Sequence, residues 1–435
     1  MGTKRTLNWL EVAIGLTSLH FGVGFLLGIG ESSYLDGAQG ALYGVSAALG
    51  VLMLTLITKF YWYKKDPLWT ILGKKYGQGV ENLISFFSCV WMIGIVASQA
   101  LGGAFILSIL GIPYPIGIWL LAIIINGMSL VKIDRLLKIF FFTLLASSLA
   151  MAFMVFWFPG NEQYFSLMVN FASTFPTISG GTLLGVMVTT VLITIFGMDF
   201  HQFVVSGKKI SQTIKGEIVA FAALLLLSFL PVGIVQLGQG YTEGSITDPK
   251  QALPFILKLQ GDKLFSGLGY VLIIALVCGV LGSGIGVTKV INRTLKGFKF
   301  IDREFKSSRI ILLAGILIDG VLALFGKSII SLIVSFYAIY VASILIPFAI
   351  YLLEERGWIK VGKGQVYFSL LFGGIFSLST FILSHFLLQS FKINVELMTL
   401  IVGLLGSIIG IWIPLVASSV NIKVSGLFRA SRLKG

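Results

Sequence analysis

Four ionisable side chains interrupt the long apolar segments of this 435-residue chain, and their types suggest proton or cation chemistry. His20 lies in a run of residues 12–30 without Asp, Glu, Lys or Arg, and Asp199 and His201 follow a second such run. Asp319 interrupts a third apolar segment. Ionisable groups at membrane depth are energetically expensive and are therefore commonly functional, and histidine titrates near neutral pH. We expect these side chains to carry much of the chemistry.

The composition predicts an all-α polytopic membrane protein. Only 11% of the residues are charged and 56% are hydrophobic, with a mean hydropathy of +0.96. A soluble protein carries about 25% charged residues, so a soluble multidomain enzyme is excluded. A spanning helix needs about 20 apolar residues. Twelve spans are predicted, in residues 12–30, 37–58, 82–131 (two spans), 139–161, 163–198 and onward past Asp199, 218–242, 264–288, 309–326, 328–353, 364–391 and 397–422.

The positions of the basic residues predict the orientation. With the N-terminus inside, 27 of the 32 Lys and Arg residues fall in cytoplasmic segments, as the positive-inside rule requires. This distribution explains the net charge of +14 without a nucleic-acid partner, because basic loops face an anionic leaflet. We expect a multi-pass protein of the cytoplasmic membrane with both termini in the cytoplasm, and the oligomeric state is left open.

Two of the spans contain residues that interrupt a helix. Span 1 holds Gly22, Gly24, Gly28 and Gly30 within nine residues, and span 6 reads Phe-Gly-Met-Asp-Phe-His over 196–201. Each glycine costs about 1 kcal/mol relative to alanine in a helix, and unpaired backbone in lipid costs several kcal/mol. Two broken helices at matching positions are typical of inverted-repeat transporters. Close helix packing on small residues remains an alternative for span 1, and a paired buried polar residue for span 6.

These motifs resemble the amino acid–polyamine–organocation (APC) superfamily with the LeuT-type fold, and within it the YkvI family of bacterial membrane proteins. The resemblance is carried by Gly22-Val23-Gly24, Gly28-Ile29-Gly30-Glu31, Phe196-Gly197, Pro67 and Lys74-Lys75-Tyr76-Gly77. It implies a 5+5 inverted repeat with broken helices 1 and 6. The two repeats would cover residues 9–158 and 178–353, and two extra helices would lie within 366–418. The solute site would lie between spans 1, 3, 6, 8 and 10.

The resemblance also implies a set of substrate-binding residues. Free backbone amides at the break in span 1 would bind a carboxylate, with the dipole of the outer half-helix adding to the attraction. Aromatic side chains would cover the solute. The implied set is His20, Gly22, Val23, Gly24, Phe25, Gln99, Phe196, Gly197, Asp199, Phe200 and Tyr337. For Gln99 and Tyr337, ordinary helix packing is an equal alternative.

The resemblance implies a transporter, and we expect the ion that drives its transport to be Na⁺ or H⁺. By resemblance, sodium would bind carbonyl groups of Ser18 and Phe21 with the hydroxyl of Ser283, although span 8 offers one hydroxyl where related proteins use two. The proton interpretation uses His20, Asp199 and His201. A structural hydrogen bond between the two half-helices is the alternative. Asp319 is expected to be the buried partner of a Ser or Tyr.

The predicted function is secondary active transport of a small amino-acid-like or carboxylate-bearing solute. One alternative is a transition-metal carrier of the same fold, in which Met198, Asp199 and the histidines supply ligands. Another is a non-transporting membrane receptor subunit. An enzyme is not expected, because the chain has neither H-E-x-x-H nor G-x-S-x-G. No cofactor or resident metal is expected, and the partners are the bilayer and a small solute.

Overall fold

The computed structural model of the chain describes residues 5–130, 133–158, 160–242, 245–297, 308–324, 328–386 and 394–432. These residues are almost entirely helical, and the only β-structure among them is a bridge between Leu7 and Gly207. The first ten helices are α1 Trp9–His20, α2 Ile29–Asp36, α3 Leu42–Lys64, α4 Leu68–Tyr76, α5 Gln78–Ser108, α6 Tyr114–Met128, α7 Ile133–Trp157, α8 Tyr164–Thr174, α9 Gly180–Thr182 and α10 Thr189–Phe196. The others are α11 Met198–Ser206, α12 Ile210–Leu227, α13 Phe229–Gly238, α14 Ala252–Leu264, α15 Leu268–Gly297, α16 Ser308–Leu324, α17 Ile329–Glu355, α18 Lys363–Phe386 and α19 Val395–Arg432.

The first span is broken where its glycines begin. The side chain of Asn8 accepts hydrogen bonds from backbone amides in the first turn of α1, and the helix ends at His20. Phe21 leaves the helical conformation, with φ −79° and ψ 50°. The chain then continues as a π-helix over Gly24–Gly28, which leads into α2. The predicted break in span 1 is therefore confirmed.

The sixth span is broken at Gly197. Its two parts, Gly180–Phe196 and Met198–Ser206, are bent by 45° relative to each other. Gly197 adopts an extended ψ of 128°, and a Cβ added there would lie 2.7 Å from the carbonyl oxygen of Ile193. Because no side chain fits that space, the bend requires glycine. The predicted break in span 6 is also confirmed.

Each of the eleven apolar ranges predicted to hold the twelve spans overlaps a helix, but fewer helices qualify as spans by themselves. Among the described residues, seven helices are long and apolar enough to cross a membrane, or up to nine if each of two bent pairs is one span. Tyr114–Met128 and Ile310–Leu324 are apolar but shorter. The chain is therefore a multi-pass helical protein, and the count of twelve stays a prediction.

The chain divides into two compact units. The larger unit comprises residues 1–67 and 89–337 and contains both broken spans. Within it, α1 packs against α7, α12 and α15, while α3 packs against α10 and α12. The division of the chain into two inverted repeats, residues 9–158 and 178–353, stays a prediction, because these contacts do not test the symmetry between them.

The smaller unit comprises residues 68–88 and 338–435. Its α18 and α19 pack closely through small residues; a Cβ added at Gly403 would lie 2.7 Å from that of Ser377. The hydroxyl of Tyr76 on α4 donates to Glu354 at the end of α17. Lys75 also pairs with Glu354, at 3.3 Å.

Close packing of α12 on α1 yields a stability prediction. A Cβ at Gly216 would lie 2.6 Å from the backbone oxygen of Trp9 and 2.8 Å from Cβ of Val12, and backbone cannot move aside as a flexible side chain can. Gly216→Ala should therefore destabilise the protein by about 1–3 kcal/mol. The matched control is Gly127→Ala on α6, where a Cβ would meet nothing within 4 Å; it should be neutral or stabilise by up to about 1 kcal/mol. Thermal unfolding in detergent measures both, and equal melting temperatures for the two variants would contradict the packing.

Candidate functional site

The backbone groups at the break in span 1 are mostly satisfied from within the protein. The amide of Gly22 donates to the carbonyl of His20 at 2.8 Å, and the amide of Leu26 donates to the carbonyl of Gly22 at 2.9 Å. The amide of Val23 donates to Oε1 of Gln99 at 2.8 Å. The expectation of free amide donors is therefore wrong for Gly22 and Val23 in this conformation. Because an unpaired buried amide is costly, the hydrogen bond to Gln99 stabilises the break.

Two other helices approach the same break. A Cβ at Gly22 would lie 2.6 Å from Oγ of Ser283 on α15 and 2.7 Å from Nε2 of Gln99 on α5. The hydroxyl of Ser283 donates to the carbonyl of Leu19 at 2.9 Å. The structure thus places Ser283 at the break, and the sodium site formed by Ser283 with the carbonyls of Ser18 and Phe21 stays a prediction.

A pair of hydroxyls that sequence reasoning missed lies on α7. A Cβ at Gly282 would lie 2.5 Å from Oγ1 of Thr143, and one at Gly279 would lie 3.1 Å from Oγ of Ser147. Thr143 and Ser147 are four residues apart and so share one face of their helix. The spacing of four residues between the two hydroxyls is the sequence feature that indicates their common face.

The two broken spans meet through aromatic rings and a buried acid. The ring of His20 stacks on that of Phe200, with centroids 4.3 Å apart and planes 13° apart. Asp199 is only 2% exposed, and the side chains of Tyr43 and Tyr337 are also buried. The hydroxyls of those tyrosines lie 3.4 Å apart. The contact of His20 with the second break agrees with the predicted proximity of the breaks.

Two polar atoms at this meeting point have no hydrogen-bond partner. They are Nε2 of His20 and Oδ1 of Asp199, both fully buried. No hydrogen bond joins the two side chains to each other among the described contacts. Buried polar atoms are nearly always paired in native proteins; the other unpaired atoms of the described residues include Nδ1 of His201 and Oδ1 of Asp319.

His201 faces a different neighbour. Its Nε2 lies 2.6 Å from the carbonyl oxygen of Ile195, to which the hydroxyl of Tyr61 also donates, at 3.0 Å. The rings of His201 and Tyr61 are 3.7 Å apart. Because a carbonyl only accepts, Nε2 must carry the proton, and the buried Nδ1 has no partner. His201 thus satisfies a carbonyl freed by the break in span 6, and its role in ion coupling stays a prediction.

The remaining predicted site residues are buried near the two breaks. The rings of Phe25 and Phe21 lie 5.1 Å apart, and Phe196 is 3% exposed. A Cβ at Gly24 would lie 3.2 Å from the hydroxyl of Tyr43. These positions suit a closed aromatic cover over the meeting point of the breaks.

A cavity of about 70 Å³ leads toward the tyrosine pair from the side of α2. Its lining includes Ser32, Asp36, Gln39, Thr182 and Tyr43. Tyr43 is shared by this cavity and by the contact with Tyr337. The wall of the cavity therefore includes one member of the tyrosine pair.

The described N-terminal segment is held against the ends of two helices. The guanidinium of Arg5 lies 3.3 Å from the ring centroid of Trp62 and donates to its carbonyl. The amide of Leu7 donates to Ser206, and the amide of Lys208 donates back to Leu7, at 3.0 and 2.9 Å. These contacts fix the N-terminal segment across the ends of α3 and α11.

Asp319 has a partner, as expected, although of a different type. Nδ2 of Asn126 on α6 donates to its Oδ2 at 2.9 Å, in place of the expected Ser or Tyr. In the described part of the chain, no group of three or more His, Cys, Asp or Glu side chains could hold a metal ion.

Comparison with known proteins gives a structural match. No family model and no curated protein matches the chain. A solved structure of a Na⁺-coupled sialic acid symporter, in a substrate-bound outward-open state, superposes with a TM-score of 0.65 at 12% sequence identity. The match covers 94% of this chain and 91% of the symporter. The chain shares the fold of that symporter. Membership of the APC superfamily or of the YkvI family stays a prediction.

Replacing Gln99 should destabilise the break in span 1, because its side chain pairs with the amide of Val23. Gln99→Leu leaves the buried amide of Val23 unpaired, which should destabilise the protein by about 1–3 kcal/mol. The control is the adjacent Ser98→Ala, because the hydroxyl of Ser98 donates only within its own helix, to Ile95. Thermal unfolding in detergent should show a clear loss for the first variant and little change for the second. Equal stability of Gln99→Leu and the wild type would contradict the pairing.

Proposed function

We propose that the protein is a secondary active transporter that moves a small amino-acid-like or carboxylate-bearing solute across the cytoplasmic membrane by alternating access. The observation that carries the proposal is the meeting of two broken spans at His20 and Phe200, with unpaired buried atoms on His20 and Asp199. Broken helices persist at membrane depth where they line a ligand site. The fold shared with the symporter supports the same conclusion.

The solute site in this proposal is the space between the breaks. A carboxylate would take the amide of Val23 from Gln99, while the amine or hydroxyl groups of the solute would pair with Asp199 and His20. The matched symporter is described as carrying sialic acid, which is also a carboxylate. A solute that carries both a negative and a positive charge would bind to groups at both breaks.

The coupling ion is H⁺ or Na⁺. Asp199 and His20 offer a proton site, because each has a buried unpaired atom. The carbonyl of Leu19 and the hydroxyl of Ser283 offer oxygen ligands for sodium, and the matched symporter is Na⁺-coupled.

Alternating access is supported by the contrast between the two ends of the larger unit. A cavity opens at Asp36 and Gln39, whereas Arg5 and Leu7 hold the N-terminal segment against the ends of two helices. In the proposed topology of twelve spans, with the LeuT-type repeat of the APC superfamily and the YkvI family, the end with the N-terminal segment faces the cytoplasm. The solute then enters through the cavity and leaves when the contacts of the N-terminal segment open.

Asp199→Asn tests the central assignment. Purified protein in proteoliposomes is supplied with a radiolabelled mixture of amino acids or with sialic acid, under an inward proton or sodium gradient. Wild-type protein should accumulate label, and Asp199→Asn should reduce uphill uptake at least about tenfold, since loss of about 1.4 kcal/mol of coupling corresponds to that factor. Asp319→Asn, at a buried acid already paired with Asn126, is the control and should retain uptake.

Retained uphill uptake by Asp199→Asn would contradict the site. Solute binding by the wild type without any uptake would contradict transport itself and favour a receptor. Binding is followed by thermal stabilisation, because a ligand of the folded state raises its melting temperature by mass action.

A further inference from the structure

A second buried acid lies away from the two breaks, between α12 and α3. Glu217 has no solvent exposure. Its Oε1 and Oε2 lie 2.6 and 2.8 Å from the hydroxyl oxygen of Thr58. Thr58 is likewise completely buried. In the part of the chain that the structure describes, this hydroxyl is the hydrogen-bond partner of the carboxyl group.

The number of protons shared by these groups decides the charge of Glu217. The hydroxyl of Thr58 has one proton and also lies 2.9 Å from the carbonyl of Leu54. If Glu217 carries a proton, it donates to Thr58, Thr58 donates to Leu54, and every donor is used. If Glu217 is ionised, a buried carboxylate has at most one donor, and such an arrangement is strongly unfavourable. The contacts therefore favour the neutral acid.

The charged and titratable groups on the neighbouring helices do not compensate a negative charge at this position. On α3, Lys59 is exposed, and Tyr61 donates its hydroxyl to Ile195. On α12 itself, Lys215 is exposed and lies over the ring of Trp9.

The titratable groups of α1 are also engaged elsewhere. Glu11 accepts from the amide of Asn8, and His20 stacks on Phe200. Among the described residues, none of the lysines, acids or histidines of these helices forms an ion pair with Glu217.

We propose that Glu217 is a proton-binding site of the transport cycle, occupied while α12 packs against α3 and emptied when the two helices separate and water enters. The proposal rests on the proposed transport function and adds a coupling site distinct from Asp199. A proton held more tightly in one conformation shifts the balance between conformations by that difference in affinity.

The chain connects this site to the breaks by two short paths. α11, which carries Asp199, ends at Ser206, and α12 begins four positions later at Ile210. On α3, Tyr61 lies about one turn beyond Thr58 and contacts the carbonyl freed by the break in span 6. A movement of the broken span therefore acts directly on both helices that enclose Glu217.

Infrared spectroscopy of the purified protein tests the protonation without any solute. A glutamate in water has a pKa of about 4.3 and is ionised at about pH 7. The spectrum of wild type minus Glu217→Gln at that pH should show the carbonyl band of a protonated carboxylic acid. A difference spectrum with the bands of an ionised carboxylate would overturn the proposal, whatever the outcome of transport assays.

Transport assays then test the coupling. In proteoliposomes loaded with a pH-sensitive dye and supplied with labelled amino acids, a gradient of one pH unit supports about tenfold accumulation if one proton accompanies each solute. Glu217→Gln keeps the neutral hydrogen bonds, so it should retain solute exchange at equal pH but accumulate only about onefold. Asp319→Asn is the matched control and should retain both activities.

The outcomes separate the two proposals. Full proton-driven accumulation by Glu217→Gln, or equal loss in Asp319→Asn, would overturn the role of Glu217 while transport stands. Absence of exchange and uptake in the wild type would overturn the proposed function, and the infrared result would still decide the protonation of Glu217.

Discussion

The structure depends on one constraint: backbone groups released where a helix breaks inside an apolar bundle must find hydrogen-bond partners. At the first break, Gln99 accepts from the amide of Val23, and Ser283 donates to the carbonyl of Leu19. At the second break, Tyr61 and His201 both contact the carbonyl of Ile195. Three of these four side chains, those of Gln99, Ser283 and Tyr61, come from helices remote in sequence, and those helices must meet around the two broken spans.

The candidate site lies where this pairing is incomplete. Nε2 of His20 and Oδ1 of Asp199 remain unpaired, and so does Nδ1 of the neighbouring His201. Oδ1 of Asp319 is also unpaired, but its Oδ2 accepts from Asn126, so that Asp319 joins α16 to α6. Glu217 differs from all of them, because both of its carboxyl oxygens contact the hydroxyl of Thr58, an arrangement that favours the protonated acid.

The sequence was informative wherever the signal was local. Four glycines within nine residues located the first break, and Gly197 beside Asp199 located the second, because both depend on the conformational preferences of the residues themselves. The partners could not be located this way. Gln99 is 76 residues from Val23. Glu217 lies two residues after Lys215 in a polar stretch, so the sequence alone does not distinguish it from a loop residue. Pairing between remote segments is decided by packing, which a single sequence does not show.

The central claim is that a solute binds between the two breaks and displaces the side chain of Gln99 from the amide of Val23. A structure determined with a transported amino acid or organic acid bound tests it most directly. The account predicts the carboxylate of the solute on the backbone amide of Val23, Gln99 turned away, and the polar groups of the solute within hydrogen-bond distance of His20 and Asp199. A solute bound elsewhere, with Gln99 still paired to Val23, would contradict the account.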